Sequence, residues 1–234
     1  MIVLGLAGHA GSGKDTVADH LVARYGFEKF AFSDSLYREV SVAFNLESED
    51  LLRDRWTKEE PIELLSLIQC SDLAFREVAE QQISILRTTR GMITLPSAVL
   101  PLSPRQILQW WGTEYRRAQD PDYWVKKTAE WLATVPKLFA YPEQVPTLFV
   151  NTTVRFPNER QWVHDLGGSI WHVFRRDAKP VALHVSENPL EIWPGERELY
   201  NNDSIERLHY GIDLLMTTSA RFGAVEPELQ KEFE

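Results

Sequence analysis

The sequence predicts an α/β chain in which a central parallel sheet carries helices on its faces and a helical region is inserted between the early and late strands. Three observations predict it. Short apolar runs alternate with stretches of helical spacing at both ends of the chain, the pattern of parallel strands joined by crossover helices. A glycine-rich turn joins the first apolar run to the first helix, and residues 47 to 90 are dominated by helix formers. The expectation is one domain over 1–234 with a helical insertion at about 45–135.

Ile2 to Ala7 is too short for a helix and suits a buried parallel strand; Gly8 to Gly13 must then turn. Val17, Ala18, Leu21, Val22 and Tyr25 recur at helical spacing, and Gly26 stands where helices commonly end in a left-handed residue. Phe30 to Phe32 reads as a second strand, and Ser33 or Asp34 can cap a helix through Leu36, Val40 and Phe44. In the inserted region Leu64, Leu65, Ile68, Leu73, Phe75, Val78 and Ile83 supply an apolar face. Residues 91 to 102 are proline-punctuated and read as a loop. Ser103-Pro104 and Asp120-Pro121 then start helices over about 104 to 118 and 121 to 135, which hold Trp110, Trp111, Trp124 and Trp131. Thr147 to Thr152 is a strand, Asn158 to Leu166 a short helix closed by Gly167-Gly168, and Ile170 to Phe174 a further strand. A last strand near Leu199 to Asn201 precedes a helix from about Ser204 to Met216.

The 234 residues are 44% hydrophobic, enough for a sizeable core. With 34 acidic against 25 basic residues the net charge is -9, which repels a long polyanion, so direct DNA binding is not expected. One cysteine, Cys70, allows no internal disulfide and agrees with a reducing compartment. The apolar run at the N-terminus is far shorter than the roughly 20 residues that span a bilayer, so a soluble cytoplasmic protein without membrane contact is expected.

Chemistry enters at Gly8 to Lys14, which has the spacing G-x-x-x-x-G-K. Glycines at those positions let backbone N–H groups turn inward around phosphate oxygens, while the next helix presents its positive end. Spacing alone arises by chance in roughly one such chain in fifteen; the strand before it and the helix after it make the match specific. Gly8, Gly11, Ser12, Gly13, Lys14, Asp15 and Thr16 are therefore the expected ATP-binding residues, with Lys14 reaching the β- and γ-phosphates. Asp15 stands where a serine or threonine normally lends a hydroxyl to magnesium; its carboxylate can hold Mg2+ or complement the helix N-terminus. Thr16 lies about 100° further round the helix and reaches instead toward an α-phosphate.

A phosphate loop does not separate a small-molecule kinase from a GTPase or an ATPase motor. No guanine-reading N-K-x-D occurs, and the Thr147 to Thr152 strand ends without an acidic residue. With those two readings set aside, the size and short form of the chain favour a kinase. At α-helical spacing Arg105, Gln109 and Arg116 share roughly one face, and guanidinium forks match phosphate geometry. Gly112 interrupts that helix at a cost of about 1 kcal/mol, which suggests a close approach. Arg155 follows a strand at its carboxyl end, where open α/β sheets bind ligands, while Asn158 and Glu159 suit the start of the next helix.

These blocks together resemble the phage deoxynucleoside monophosphate kinases, within the P-loop kinases. The resemblance runs through G-x-x-x-S-G-K-D-T at Gly8 to Thr16, L-Q-W-W-G-T-E-Y-R-R at 108 to 117, D-P-D-Y-W-V at 120 to 125, V-R-F-P-N-E at 154 to 159 and N-D-S-I-E-R-L at 202 to 208. It implies a three-layer P-loop kinase fold with an inserted helical acceptor or lid region, and transfer of the γ-phosphoryl group of ATP, with Mg2+, to a deoxynucleoside 5′-monophosphate. Lys14, Asp15 and Arg155 are the expected catalytic residues, with Asp15 as metal ligand; the resemblance carries Arg105, Thr113, Glu114, Arg117 and Arg155 to the acceptor side, where Asp34 and Trp124 are expected as well. The family commonly has an aspartate where this chain has Thr153, so metal coordination from that strand is not carried over. The expected partners are ATP and the monophosphate, in the host cytoplasm for a phage-encoded chain, with a homodimer left open. Two rivals stay open: a dephospho-coenzyme A kinase-like enzyme, and a non-catalytic nucleotide-binding regulatory protein.

Overall fold

The computed structural model describes residues 1–54, 56–90, 96–178 and 189–219. They divide into two compact units, one formed by Met1–Phe32 with the chain from Thr128 onward, the other by Ser33–Lys127.

The first unit is built on a five-stranded sheet in the order β2-β3-β1-β4-β5, with every pairing parallel. The strands are β1 (Ile2–Ala7), β2 (Glu28–Phe30), β3 (Leu148–Val154), β4 (Ser169–Phe174) and β5 (Arg197–Tyr200). Alternation along β1 sends Leu4 and Leu6 to one face, where they meet Val17 and Leu21 of α1 (Lys14–Tyr25) and Leu208 and Ile212 of the helix Ile205–Thr218. Gly5 points to the other face, where a Cβ would stand 2.5 Å from Ile170 Cδ1 and 3.5 Å from Val163 of helix Pro157–Asp165. On that same face the rings of Phe30 and Trp131 stack with centroids 5.5 Å apart. Helices thus cover both faces, the burial that an all-parallel sheet requires.

The N-terminal expectations match this unit closely. Gly26 closes α1 at φ 67, and Gly167 ends the Pro157–Asp165 helix at φ 74. The second strand lies two residues earlier than its aromatic pattern suggests, at Glu28–Phe30, because the Phe32 N–H leaves the ladder and donates to Thr153 Oγ1 at 2.9 Å.

Among the described residues the second unit is helical, apart from one isolated bridge between Ile62 and Leu102. It contains α2 (Asp34–Ala43), α3 (Asp50–Arg53), α4 (Leu73–Arg90) and α5 (Pro104–Gln109), with the first residues of α6 (Tyr123–Thr134). Its core gathers Val40, Phe44, Leu52, Leu65, Phe75, Ile83, Ile107, Trp111 and Trp124. Three of the apolar residues read as one face, Leu64, Ile68 and Leu73, are instead 56%, 57% and 68% exposed, since Glu63–Leu65 and Leu67–Gln69 form short 3-10 turns rather than a continuous helix and Leu73 only opens α4. Ser103 caps α5 as expected, with its hydroxyl accepting from the Gln106 N–H and Gln106 Oε1 accepting from the Ser103 N–H. Ser33 takes the cap position of α2 without a side-chain capping bond. The expected helix over 104 to 118 turns π-helical from Trp110 to Arg117. Of the expected loop over 91 to 102, residues 91–95 lie outside the described residues. No helix among the described residues is long and apolar enough to cross a membrane.

Candidate active site

In the first unit Ala7, the last residue of β1, pairs with Val154, the last of β3. The loop that begins at Gly8 and the segment that begins at Arg155 therefore leave the sheet from neighbouring carboxyl ends. The loop needs glycine where it turns hardest. Gly8 has φ 142 and Gly13 φ 104, and a Cβ on either would stand 2.3 Å from a neighbour: the Val173 carbonyl oxygen or Asn201 Nδ2. Asn201 Nδ2 in turn donates to the Ser12 carbonyl at 2.9 Å, tying the loop to the chain that follows β5.

Lys14 opens α1 and folds its Nζ back to donate to the carbonyls of Gly8, at 2.7 Å, and His9, at 2.8 Å. Ser12 is buried, and its Oγ has no hydrogen-bond partner among the described residues. A buried hydroxyl in that state is costly unless a ligand oxygen completes it. Asp15 faces the Lys29 ammonium at 3.2 Å, and Lys29 also donates to Asp19 at 3.0 Å. Burial pulls the Lys29 ammonium down, but the two carboxylates outweigh it and hold its pKa above the usual lysine value. Thr16 lines a cavity of about 350 Å³ together with Arg175, Arg176, Asn201, Asn202 and Ile205. Of this lining only Thr16 and the N-D-S-I-E-R-L stretch from Asn202 carry a signal in the sequence; Asn201 and the two arginines after β4 belong to no motif of their own.

Arg155 is half-buried, and its N–H donates to Glu159 Oε2 at 2.7 Å, beside the Phe156 N–H at 3.1 Å. Glu159 thus caps the helix that follows, α7 (Pro157–Asp165), as its position predicts. Thr153 serves the fold, for its Oγ1 accepts the Phe32 N–H while its own N–H donates to Asn151 Oδ1 at 2.9 Å. Among the described residues no group of three or more His, Cys, Asp or Glu is arranged to hold a metal ion.

The acceptor-side candidates other than Arg155 all lie in the second unit. Asp34 Oδ1 accepts from Arg53 Nη2 at 3.1 Å, and Arg105 pairs through Nε with Glu59. Thr113 and Glu114 are half-buried on the π-helical segment. Arg117 Nη1 donates to the Pro121 carbonyl at 3.0 Å. Trp124 is 3% exposed, its indole N–H donating to the Gly112 carbonyl at 3.0 Å. The shared face of Arg105, Gln109 and Arg116 does not survive, because that spacing assumed α-helical turns throughout. Arg116 is instead gripped by Glu39, Nε to Oε2 at 2.9 Å, and laid against the rings of Tyr115 and Tyr123.

A parallel sheet that presents a glycine loop, its lysine and an arginine at the carboxyl ends of its central strands defines an α/β protein that handles nucleotide phosphates. Residues 58–212 match the family model described as deoxynucleotide monophosphate kinase. A protein of Acanthamoeba polyphaga mimivirus, provisionally named a deoxynucleotide monophosphate kinase, is 38% identical over 218 residues, spanning 89% of this chain and 93% of its own. The chain belongs to the deoxynucleotide monophosphate kinase family. It is a phosphotransferase, a nucleotide kinase acting on deoxynucleoside monophosphates. A crystal structure of a sugar kinase from Janibacter also aligns over 92% of both chains, at 11% identity and a TM-score of 0.39, a likeness too slight to bear on the fold.

Proposed function

We propose that ATP is the phosphoryl donor and enters with Mg2+, and that its γ-phosphoryl group passes to the 5′-phosphate of a deoxynucleoside monophosphate to give the diphosphate. The observation that carries this reading is the phosphate loop: Gly8, Gly11 and Gly13 all have positive φ, Ser12 offers a buried hydroxyl, and Lys14 stands at the start of α1. On binding, Lys14 Nζ exchanges the Gly8 and His9 carbonyls for the β- and γ-phosphate oxygens. The cavity beside Thr16 takes the nucleoside end of the donor, with Asn201 holding the loop in register. Arg155 meets the transferring phosphoryl group with a planar fork that suits its equatorial oxygens.

Transfer through a loose transition state asks for positioning and charge neutralisation more than for a strong base. The loop amides, Lys14 and Arg155 supply both. Mg2+ is commonly held by one or two carboxylates together with substrate phosphates and water, and Asp15 provides one such carboxylate, shared with Lys29. When bound, the ion adds positive charge at the donor oxygens. On the acceptor side the reading assigns Asp34, Arg105, Thr113, Glu114 and Arg117, whose chemistry suits a monophosphate and a base; Trp124, expected there too, is 3% exposed in the helical core and is left to packing. The test is a panel of ribo- and deoxyribonucleoside monophosphates, with dephospho-coenzyme A as control, each supplied with ATP and Mg2+ and followed by ADP release. ADP formation that requires a deoxynucleoside monophosphate supports the reading; ADP formation only with dephospho-coenzyme A, or with none of them, overturns it.

A further inference from the structure

The eight residues Trp110–Arg117 form a π-helix, an arrangement that is rare and persists only where its surroundings over-determine it. Glu39, on α2, supplies that determination. Its Oε2 accepts both the Trp111 indole N–H and the Arg116 Nε–H, each at 2.9 Å, and its Oε1 accepts the Tyr123 hydroxyl at 2.5 Å. Trp111 and Arg116 are five residues apart, which on an α-helix would set them about 140° apart around the axis. The i to i+5 bonding of a π-helix brings such a pair to one side, where a single oxygen can bind both.

The surroundings reinforce the grip. The Arg116 guanidinium lies 4.4 Å from the Tyr115 ring centre and 5.2 Å from that of Tyr123, and the Tyr115 hydroxyl donates to Asp72 at 3.0 Å. Glu39 and Arg116 are each only 20% exposed, so their attraction is little screened. Burial, with the Glu39 bond next in weight, pushes the Tyr123 phenol up to about 12, which keeps it a donor at any physiological pH. Thr113 and Glu114 lie between the two anchored positions. A return to α-helical winding would rotate them relative to Trp111 and shift the chain by one residue.

We infer that Glu39 holds the segment in its π-helical form and thereby fixes where Thr113 and Glu114 meet the deoxynucleoside monophosphate; it is a positioning residue, and this step rests on the acceptor assignment above. The experiment uses the full-length enzyme and Glu39→Gln, which keeps the shape and removes the charge. Amide hydrogen exchange over 110–117 is followed without substrate, and KM is measured separately for ATP and for the monophosphate that the wild type turns over fastest. Losing one charge-assisted anchor should speed exchange in the segment and raise the monophosphate KM by about tenfold, with the ATP KM changed by less than about twofold. Arg116→Lys, which keeps the charge but loses the Nε–H, should move both readouts in the same direction and serves if Glu39→Gln fails to fold. Unchanged exchange, or an equal rise in both KM values, overturns the inference while leaving the kinase reading intact. A wild type that phosphorylates no monophosphate overturns the acceptor assignment and this inference with it, a result that the panel gives independently of the variants.

Discussion

Substituting Gly13 by alanine tests the loop geometry quantitatively. Gly13 holds φ 104, and an L residue in left-handed backbone costs about 1–2 kcal/mol. Its Cβ would also stand 2.3 Å from Asn201 Nδ2, so that amide must swing away and give up its 2.9 Å bond to the Ser12 carbonyl. A hydrogen bond of that kind contributes about 0.5–1.5 kcal/mol. The expected destabilisation is therefore about 1.5–3.5 kcal/mol, or a fall in Tm of roughly 3–14 °C for a chain of this size. Gly11 is the internal control: it has φ 76 and no atom within 4 Å of its would-be Cβ, so Gly11→Ala should carry the backbone cost alone. Urea unfolding of both variants, in wild-type and Asn201→Ala backgrounds, closes a double-mutant cycle. The excess cost of Gly13→Ala over Gly11→Ala should appear in the first background and vanish in the second. Equal costs in the first background, or an excess that survives removal of the Asn201 amide, would refute the reasoning.

Arg155→Lys keeps the charge but loses the planar fork, so kinetics with each substrate varied in turn should show a higher monophosphate KM or a lower kcat and an unaltered ATP KM; values equal to wild type would remove Arg155 from the site. Asp15→Asn should weaken the apparent Mg2+ affinity by about tenfold, read by titrating activity against free Mg2+, and an unchanged curve would leave Asp15 as a helix-terminus charge only. Glu196 is fully buried and accepts from the Trp193 N–H, His164 and His172. Burial pushes its carboxyl up, but those three donors outweigh burial and hold its pKa below the ordinary glutamate value. With the folded pKa depressed, its stabilisation is full above the unfolded value of about 4.3 and is lost as pH falls through the folded pKa. Glu196→Gln should accordingly flatten the acid limb of stability against pH and cost about 1–3 kcal/mol at pH 7; an acid limb as steep as that of wild type would contradict this.

What the sequence made legible follows the reach of its signals. Hydrophobic period and glycine placement located β1, α1 and the loop between them to the residue, because those elements are set by local backbone requirements and by burial on one face. The helix after β3 was placed to within one residue at each end, since Asn158 and Glu159 mark its start and the Gly167-Gly168 pair its close. The inserted region was legible only as helical. Its 3-10 turns at Glu63–Leu65 and Leu67–Gln69 interrupt a run that composition alone reads as continuous, and tertiary packing chose them. The π-helical segment left no local trace. Its cause, Glu39, is 72 residues from Trp111 in sequence, and an argument from α-helical spacing placed Arg116 on the wrong face for that reason. Asn201 escaped for a similar reason, being a single polar residue whose role depends on a loop 189 residues earlier.

The threonine at 153 connects the fold to the chemistry. In a chain whose resemblance leads one to expect an aspartate there, β3 instead ends on a neutral network: Asn151 Oδ1 accepts the Thr153 N–H, and Thr153 Oγ1 accepts the Phe32 N–H as the chain leaves β2. An aspartate in that place could still take the Phe32 N–H, but it would set a carboxylate close to the buried, uncharged Asn151, with the desolvation cost that burying charge carries. This chain therefore uses the end of β3 for structure and leaves Asp15 as the carboxylate of the phosphate loop. Lys29 then acquires a meaning beyond packing. An ammonium 3.2 Å from Asp15 balances the charge of that carboxylate and orients it, and its second carboxylate, Asp19, gives the ammonium a resting partner if a divalent ion draws Asp15 away.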